Sequence, residues 1–458
     1  MRRVIMCFGA IIWFTVAAFG QNKQILYGFS DIPQSLMLNP GSKTNLQKHL
    51  GIPLLSQIHL NGGSSGVTVF DIFGESDVDI STRLRQKVFS MANTDFFTVT
   101  QQLELLNLGW RSESDFYFSG GIYEEVDFIA YFPKFFAILA LDGNQPFIGT
   151  PFSLDEINSR GDAVMVYHFG VNKQVTKKLT VGVRAKLYSS LGSYSTTDNS
   201  GTFITAQVPG SENIYEHRLD DANLVVRTSG IEDGGVGNAF FGGNMGVGVD
   251  LGASYDISER VYVTASALDV GAIFHSKKLR SYNIRGDYTL DGLEFLFPNE
   301  GDPFPYYDEL EQAVEDAVYS ETFDEKYTEW RPTKLNASAV YKFGKGINTS
   351  GECDCRNTGS SVDREQEVGL QFYGISRPKS WQMAGTLFYS RRITDQFSAK
   401  ATYTVDSFSD SNIGLGGSAT FGKFNMYLAV DNLLKYGNLA KAKSVSLQLG
   451  FNIKMDRE

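Results

Sequence analysis

The stretch MGVGVDLGASY, Met245 to Tyr255, reads with a period of two. Met245, Val247, Val249, Leu251, Ala253 and Tyr255 are apolar or aromatic, while Gly246, Gly248, Asp250, Gly252 and Ser254 are small or polar. Successive side chains of a strand point to opposite faces, so this is a strand with one greasy side. The same alternation spreads outward in both directions. It recurs over Val181 to Leu187, Leu335 to Phe343, Phe397 to Asp406 and Ile413 to Phe421, and it closes with Val445, Leu447, Leu449, Phe451 and Ile453 set against Ser446, Gln448, Gly450, Asn452 and Lys454.

A soluble sandwich would also alternate, but three features favour a barrel. Many runs reach ten residues or more, and 9 to 11 tilted residues cross a bilayer. Tight turns, such as Asp256 to Glu259, Thr394 to Gln396 and Gly422-Lys423, alternate with much longer loops, as in bacterial barrels. A chain of 458 residues without a linker is too long for one sandwich.

The strands are predicted at Pro53 to Leu60, Leu103 to Arg111, Phe116 to Tyr131, Ala163 to Val171, Thr180 to Tyr194, Asn244 to Tyr255 and Val261 to Phe274. They continue at Thr333 to Phe343, Glu367 to Gly374, Gln382 to Arg391, Phe397 to Asp406, Asn412 to Phe421, Phe424 to Val430 and Val445 to Met455. The fold class is therefore all-β, a transmembrane antiparallel barrel of about fourteen strands, with long extracellular loops and tight periplasmic turns. The connection Gly344 to Arg364 is the one long periplasmic exception. Asp77 to Ala92 and Pro305 to Tyr319 read as helices. Pro133 ends the third strand before an apolar segment, Phe135 to Leu141, placed to pack on the rim or to meet a ligand.

Composition agrees with this reading. The chain is 42% hydrophobic and 13% aromatic, with 46 glycines, which suits half-greasy strands, interfacial aromatics and curved staves. No run after Gly20 is long and apolar enough for a membrane helix. A net charge of -11 speaks against nucleic acid as a partner. Arg2-Arg3, an apolar run from Val4 to Phe19 and the small residues of Ala18-Phe19-Gly20 predict a signal peptide, residues 1–20, cleaved before Gln21. Cys353 and Cys355 flank a single residue, too close for a stabilising bridge, and are read as surface-loop cysteines.

Catalytic signatures are weak. His49, His59, His168, His217 and His275 lack metal-ligand spacing, so no metal or other cofactor is expected. Gly62-Gly63-Ser64-Ser65-Gly66 satisfies Gly-x-Ser-x-Gly only formally, because it sits in a turn between strands instead of at a strand-to-helix elbow. The chain is read as a non-enzyme, with a hydrolase using Ser64 as a remote third hypothesis. If lipid faces the apolar set, Glu125, Asp127, Arg184, Lys186, Asp250, Lys342, Lys400, Asp406 and Lys454 point inward. Because both signs are present, a hydrated or locked interior is favoured over a charge-selective pore.

The order of features resembles a known family. Asn39-Pro40-Gly41, after Leu36-Met37-Leu38, looks like the Asn-Pro-Ala element of the amino-terminal hatch in FadL-type long-chain fatty acid transporters and their relatives, PorV among them. Within that group FYFSGGIYEEVDFIAYFP, LTVGVRAKLYSSLG, GVGVDLGASYDISERVYVTASALDVGAIF and RPTKLNASAVYKF are similar to a Bacteroidota outer-membrane family. Two departures stand out. Gly41 replaces Ala, and the final Met-Asp-Arg-Glu replaces a terminal aromatic, leaving Phe451 as the candidate assembly signal.

The resemblance implies a hatch over residues 21–51 and a barrel over 52–458 in the outer membrane, with hydrophobic molecules as ligands. A role as a scaffold or accessory subunit of a type IX-like secretion system is the alternative. The partners expected are therefore outer-membrane lipid with either small hydrophobic molecules or a secretion component.

Overall fold

A computed structural model describes residues 23–208, 215–230, 243–290, 320–346 and 364–456. Fourteen antiparallel staves close into one barrel. The first has two segments, Leu46–Gly51 and Ile58–Ser64, each lying between the last strand, Ser444–Asp456, and the second stave, Phe96–Arg111. Tyr117–Tyr131, Ser159–Gln174, Leu179–Ser195, Asn244–Asp256 and Val261–His275 follow. The eighth stave is again double, Tyr327–Trp330 and Lys334–Gly346, both paired to Val261–His275. Arg364–Ser376, Trp381–Arg392, Phe397–Val405, Asn412–Phe421 and Phe424–Asp431 lead back to the closing strand.

The predicted strands thus stand in their predicted order, and most differences are extensions. The first is interrupted where Pro53 was expected to pair. Proline brings no N–H to a ladder, Leu54 takes φ 65°, and the chain dips inward to bury Ser56 and Gln57 before pairing resumes at Ile58. One end of the barrel carries the tight connections 112–116, 175–178, 257–260, 393–396 and 422–423, and the other carries the long connections 65–95, 132–158, 196–243 and 276–326 together with the short ones 377–380 and 406–411. The cysteines, the helix read at Pro305 to Tyr319 and most of the Gly344 to Arg364 connection lie outside the described residues.

The wall is inverted relative to a soluble protein. Val247, Leu387 and Tyr403 are 57%, 50% and 45% exposed, while their strand neighbours Thr386, Thr402 and Asp250 are buried. A belt of outward apolar side chains of this kind is what a bilayer accepts, and strand pairing all round leaves no unpaired edge in it. Near the short-turn end, Trp110, Phe118 and Phe169 stack across three adjacent staves, with centroids 5.5 and 6.0 Å apart. Phe424 stacks on Phe451 at 6.1 Å. These rings form the interfacial girdle expected of a membrane barrel. Among the described residues, no helix is long and apolar enough to cross a membrane.

Beyond the membrane belt on the long-loop side, Phe152–Ser153, Ser200–Gln207, Tyr215–Ser229, Leu279–Leu290 and Ser320–Phe323 form an extension of the barrel sheet, joined to it where Ser193 to Ser195 pair with Arg227 to Ser229, that sequence reading missed. Most of Tyr215–Ser229 is half exposed on both faces, so it lacks the strong alternation that marks the staves. Three helices stand at the same end, Val69–Phe73, Ile80–Ser90 and Lys134–Asp142. Ile80–Ser90 starts where Asp79 accepts hydrogen bonds from the Ser81 and Thr82 amides.

Candidate functional site: the filled lumen and its mouth

The lumen is occupied by the chain's own amino-terminal segment. Ile25, Leu26, Tyr27, Phe29, Ile32 and the 3-10 turn Pro33–Met37 are buried inside the barrel. Leu26, Tyr27, Phe29, Ile32 and Leu38 cluster with Leu268 and Tyr427 of the wall. An apolar cluster in a polar-lined tube needs polar attachments, and these are supplied largely by wall side chains reaching plug carbonyls. Arg184 donates to Leu36 O (2.8 Å), Ser266 to Leu38 O (2.6 Å) and Lys400 to Tyr27 O (2.6 Å). Gln34 exchanges hydrogen bonds with Asn452 and donates to Glu104.

Asn39, Pro40 and Gly41 sit at the tightest of these contacts. Asn172 donates to Pro40 O (2.6 Å) and Ser42 O (2.9 Å), Ser254 donates to Gly41 O (2.8 Å), and the Gly41 amide donates back to Asn39 Oδ1 (2.9 Å). Gly182 and Gly252 of adjacent staves form the floor. A Cβ on either would strike Pro40 or Asn39, and a Cβ on Gly41 would strike the Gly252 carbonyl. Backbone touches backbone here, which gives a physical reason for glycine instead of alanine at position 41.

The nine residues read as inward-pointing are all buried, and the structure sorts them. Glu125, Arg184, Lys186 and Asp250 join a continuous chain of ions. Arg184 and Lys186 lie 3.4 and 2.9 Å from Asp250, and Lys186 lies 2.6 Å from Asp269. Lys334 bridges Asp269 (2.9 Å) to Glu125 (3.1 Å), and Arg331 bridges Glu125 (2.8 Å) to Asp162 (3.5 Å). Arg160 finishes the chain between Asp162 (2.9 Å) and Glu329 (3.1 Å). Five cations meet five carboxylates, so this buried chain is electrically balanced, which is the condition under which charges tolerate a dry interior.

Lys400 and Lys454 belong instead to the plug attachments, Lys454 reaching Asp31 O at 3.3 Å. Lys342 stands apart, 3.9 Å from Glu367 and 4.9 Å from the Tyr262 ring centroid. Asp406 has a different role, accepting the Phe408 and Ser409 amides at 2.9 Å and so fixing the loop that carries Phe408.

The ion chain also crosses the lumen. Glu125 and Asp162 are on the third and fourth staves, whereas Arg331 and Lys334 are at the break in the eighth, so opposite walls are drawn together. Asp127 extends the pinch toward the mouth. Both its oxygens accept from Arg377, one of them at 3.0 Å, in the short connection between Arg364–Ser376 and Trp381–Arg392. Lys379 stands 5.1 Å from the centroid of the Tyr131 ring, and Phe408 packs edge-on to Phe96 at 5.4 Å.

Sequence alternation missed Arg160, Asp162, Asp269, Glu329, Arg331 and Arg377, whereas it sets Lys334 on the polar face of Leu335 to Phe343 without singling it out. Asp269 had no usable signal. Counting from Val261 puts it on the lipid face, but a bulge opposite Asp250, with Asp269 at φ 57°, turns both Leu268 and Asp269 inward. Arg331 and Arg377 lie where pairing stops, outside any alternating run.

A family model matches residues 40–431, from the middle of the Asn39-Pro40-Gly41 anchor to the end of the thirteenth stave. The chain belongs to DUF5723, a family of unknown function. No curated protein matches this DUF5723 chain in sequence. Among solved structures it is similar to the toluene transporter TbuX of Ralstonia pickettii, with 12% identity, 96% of this chain and 100% of that one covered, and a TM-score of 0.42. A FadL homologue of Pseudomonas aeruginosa gives 10%, 96%, 100% and 0.43. The Pseudomonas putida toluene transporter TodX gives 10%, 97%, 97% and 0.41. Likenesses this loose assign no function to the DUF5723 barrel.

Proposed function

We propose that this outer-membrane barrel takes up small hydrophobic compounds at its long-loop face. The observation that carries the reading is the apolar surface of the rim helices. Val69 and Phe73 are 61% and 71% exposed, and Phe89 and Leu141 lie exposed beside them, on helices beyond the membrane belt. Ile80–Ser90 is tied to Lys134–Asp142 by an Arg85 to Asp142 ion pair and to Val69–Phe73 by Arg83, which donates to Asp71 O (3.1 Å) and Phe70 O (2.6 Å), so the patch is organised. Organised exposed apolar surface marks a binding face. The resemblance of Asn39-Pro40-Gly41 to the FadL hatch supports the same reading.

In this reading residues 1–20 direct export and are removed before Gln21, and the segment from Gln21 inward serves as the hatch. Mass spectrometry of outer-membrane fractions checks the cleavage. The function is tested by toluene accumulation in a deletion strain carrying the parent chain or Phe73→Asp with Leu141→Asp. Accumulation should fall about tenfold in the double variant while the folded barrel is retained. Equal accumulation, or none above the deletion strain in the parent, removes the proposal.

A second reading is favoured by the packed lumen. The cavity that lies under the mouth measures about 10 Å³, room for one water. A non-conducting scaffold of a secretion system needs no wider passage. Co-purification of a translocon with the parent barrel, together with unchanged toluene uptake on deletion, would establish it.

A further inference from the structure

We propose that the Arg377–Asp127 bridge is a latch across the long-loop mouth, whose release opens the barrel's polar chamber to water and small hydrophilic solutes. The two residues are 250 positions apart in sequence and belong to facing walls, so their pairing spans the opening. Directly beneath lies the small cavity lined by Asn61, Thr98, Thr100, Lys334 and Gln382, with Asp127 and Arg377 forming part of its boundary. Its lining is mixed, with Tyr373, Ile375 and Phe408 beside the polar side chains, and among the described residues the buried Asn61 Oδ1 and Arg377 Nε have no hydrogen-bond partner. Polar atoms left in that condition call for water, so the chamber is built to be wet.

Three features make this pair the movable one. The ion chain below it is balanced without it, five cations against five carboxylates, so opening the latch breaks none of those pairs. Arg377 sits in a four-residue connection whose Pro378 and Ser380 are exposed, and a released guanidinium has solvent within reach. The plug attachments lie deeper and involve other residues. The inference is independent of which apolar compound, if any, the rim helices hold.

The test uses the full chain with Cys7, Cys353 and Cys355 changed to serine and Thr98→Cys introduced as a reporter inside the chamber, where Thr98 is buried. A membrane-impermeant, sulfonated methanethiosulfonate reagent is added to purified barrel in liposomes. Labelling should be slow in this parent, at least about tenfold faster with Arg377→Gln or Asp127→Asn, and slow again in the swap Asp127→Arg with Arg377→Asp. Barrel folding is followed by heat-modifiable migration in gels. Fast labelling in the parent overturns the latch, as does unchanged labelling in folded single variants. Failure of the single variants to fold overturns it too, because the pair is then part of the framework.

Discussion

Changing Gly182 to alanine tests whether the plug is docked by backbone contact. The new Cβ would meet the Pro40 carbonyl and stand 2.8 Å from the Gly41 nitrogen, closer than carbon approaches any heavy atom without a bond. Gly182 is paired with Asn172 on one side and Gly252 on the other, so the wall cannot yield and the plug must. Overpacking of this kind costs about 1–3 kcal/mol. Displacing the plug also strains the two Asn172 hydrogen bonds and the one from Ser254, each worth about 1 kcal/mol. The sum, about 4–6 kcal/mol, corresponds to roughly a thousandfold or greater rise in undocked plug.

Hydrogen exchange of the Gly41 and Ser42 amides reads this directly, since both are bonded within the docked turn. Gly385→Ala is the matched control, because a Cβ there meets nothing within 4 Å. Equal exchange in the two variants would refute the argument that glycine is required for docking.

Other consequences concern the ion chain and the rim. Arg331→Met leaves Glu125 and Asp162 short of a buried partner and should destabilise the barrel by about 3–5 kcal/mol, seen as a lower temperature of heat-modifiable unfolding. Asp269→Ala should lower that temperature more than Asp269→Asn, because asparagine tolerates the left-handed backbone whereas alanine adds about 1–2 kcal/mol of strain; equal effects would show that only the lost charge matters. Glu156, outside the staves, accepts the Phe135 amide at the start of Lys134–Asp142, and burial pushes its carboxyl above the usual range. A raised folded value means stability present at low pH and lost as pH rises through it, so protection in that helix, corrected for the intrinsic exchange rate, should fall as pH rises above about 4.3, and not in Glu156→Gln.

The barrel was legible because its physics is local. Lipid outside and a polar interior force a two-residue period on every stave, and that period is visible in stretches such as Met245 to Tyr255 without knowing what they pair with. The tight turns at Asp256 to Glu259 and Gly422-Lys423 added the sidedness. The long-loop sheet was not legible, since strands half exposed on both faces carry no such constraint.

Inward charges at Glu125, Arg184 and Asp250 followed from alternation, but their partners did not. Pairing Arg331 with Glu125, or Arg377 with Asp127, depends on how far opposite walls approach across the lumen, a distance that no local pattern encodes. Asp269 needed even more, a bulge that reverses the phase of its own strand. The sequence by itself determined which side of a stave meets lipid wherever its alternation is unbroken. Only the tertiary structure decided which buried charges meet one another, because neutralising a charge requires a specific neighbour whereas burying a greasy side chain requires only a face.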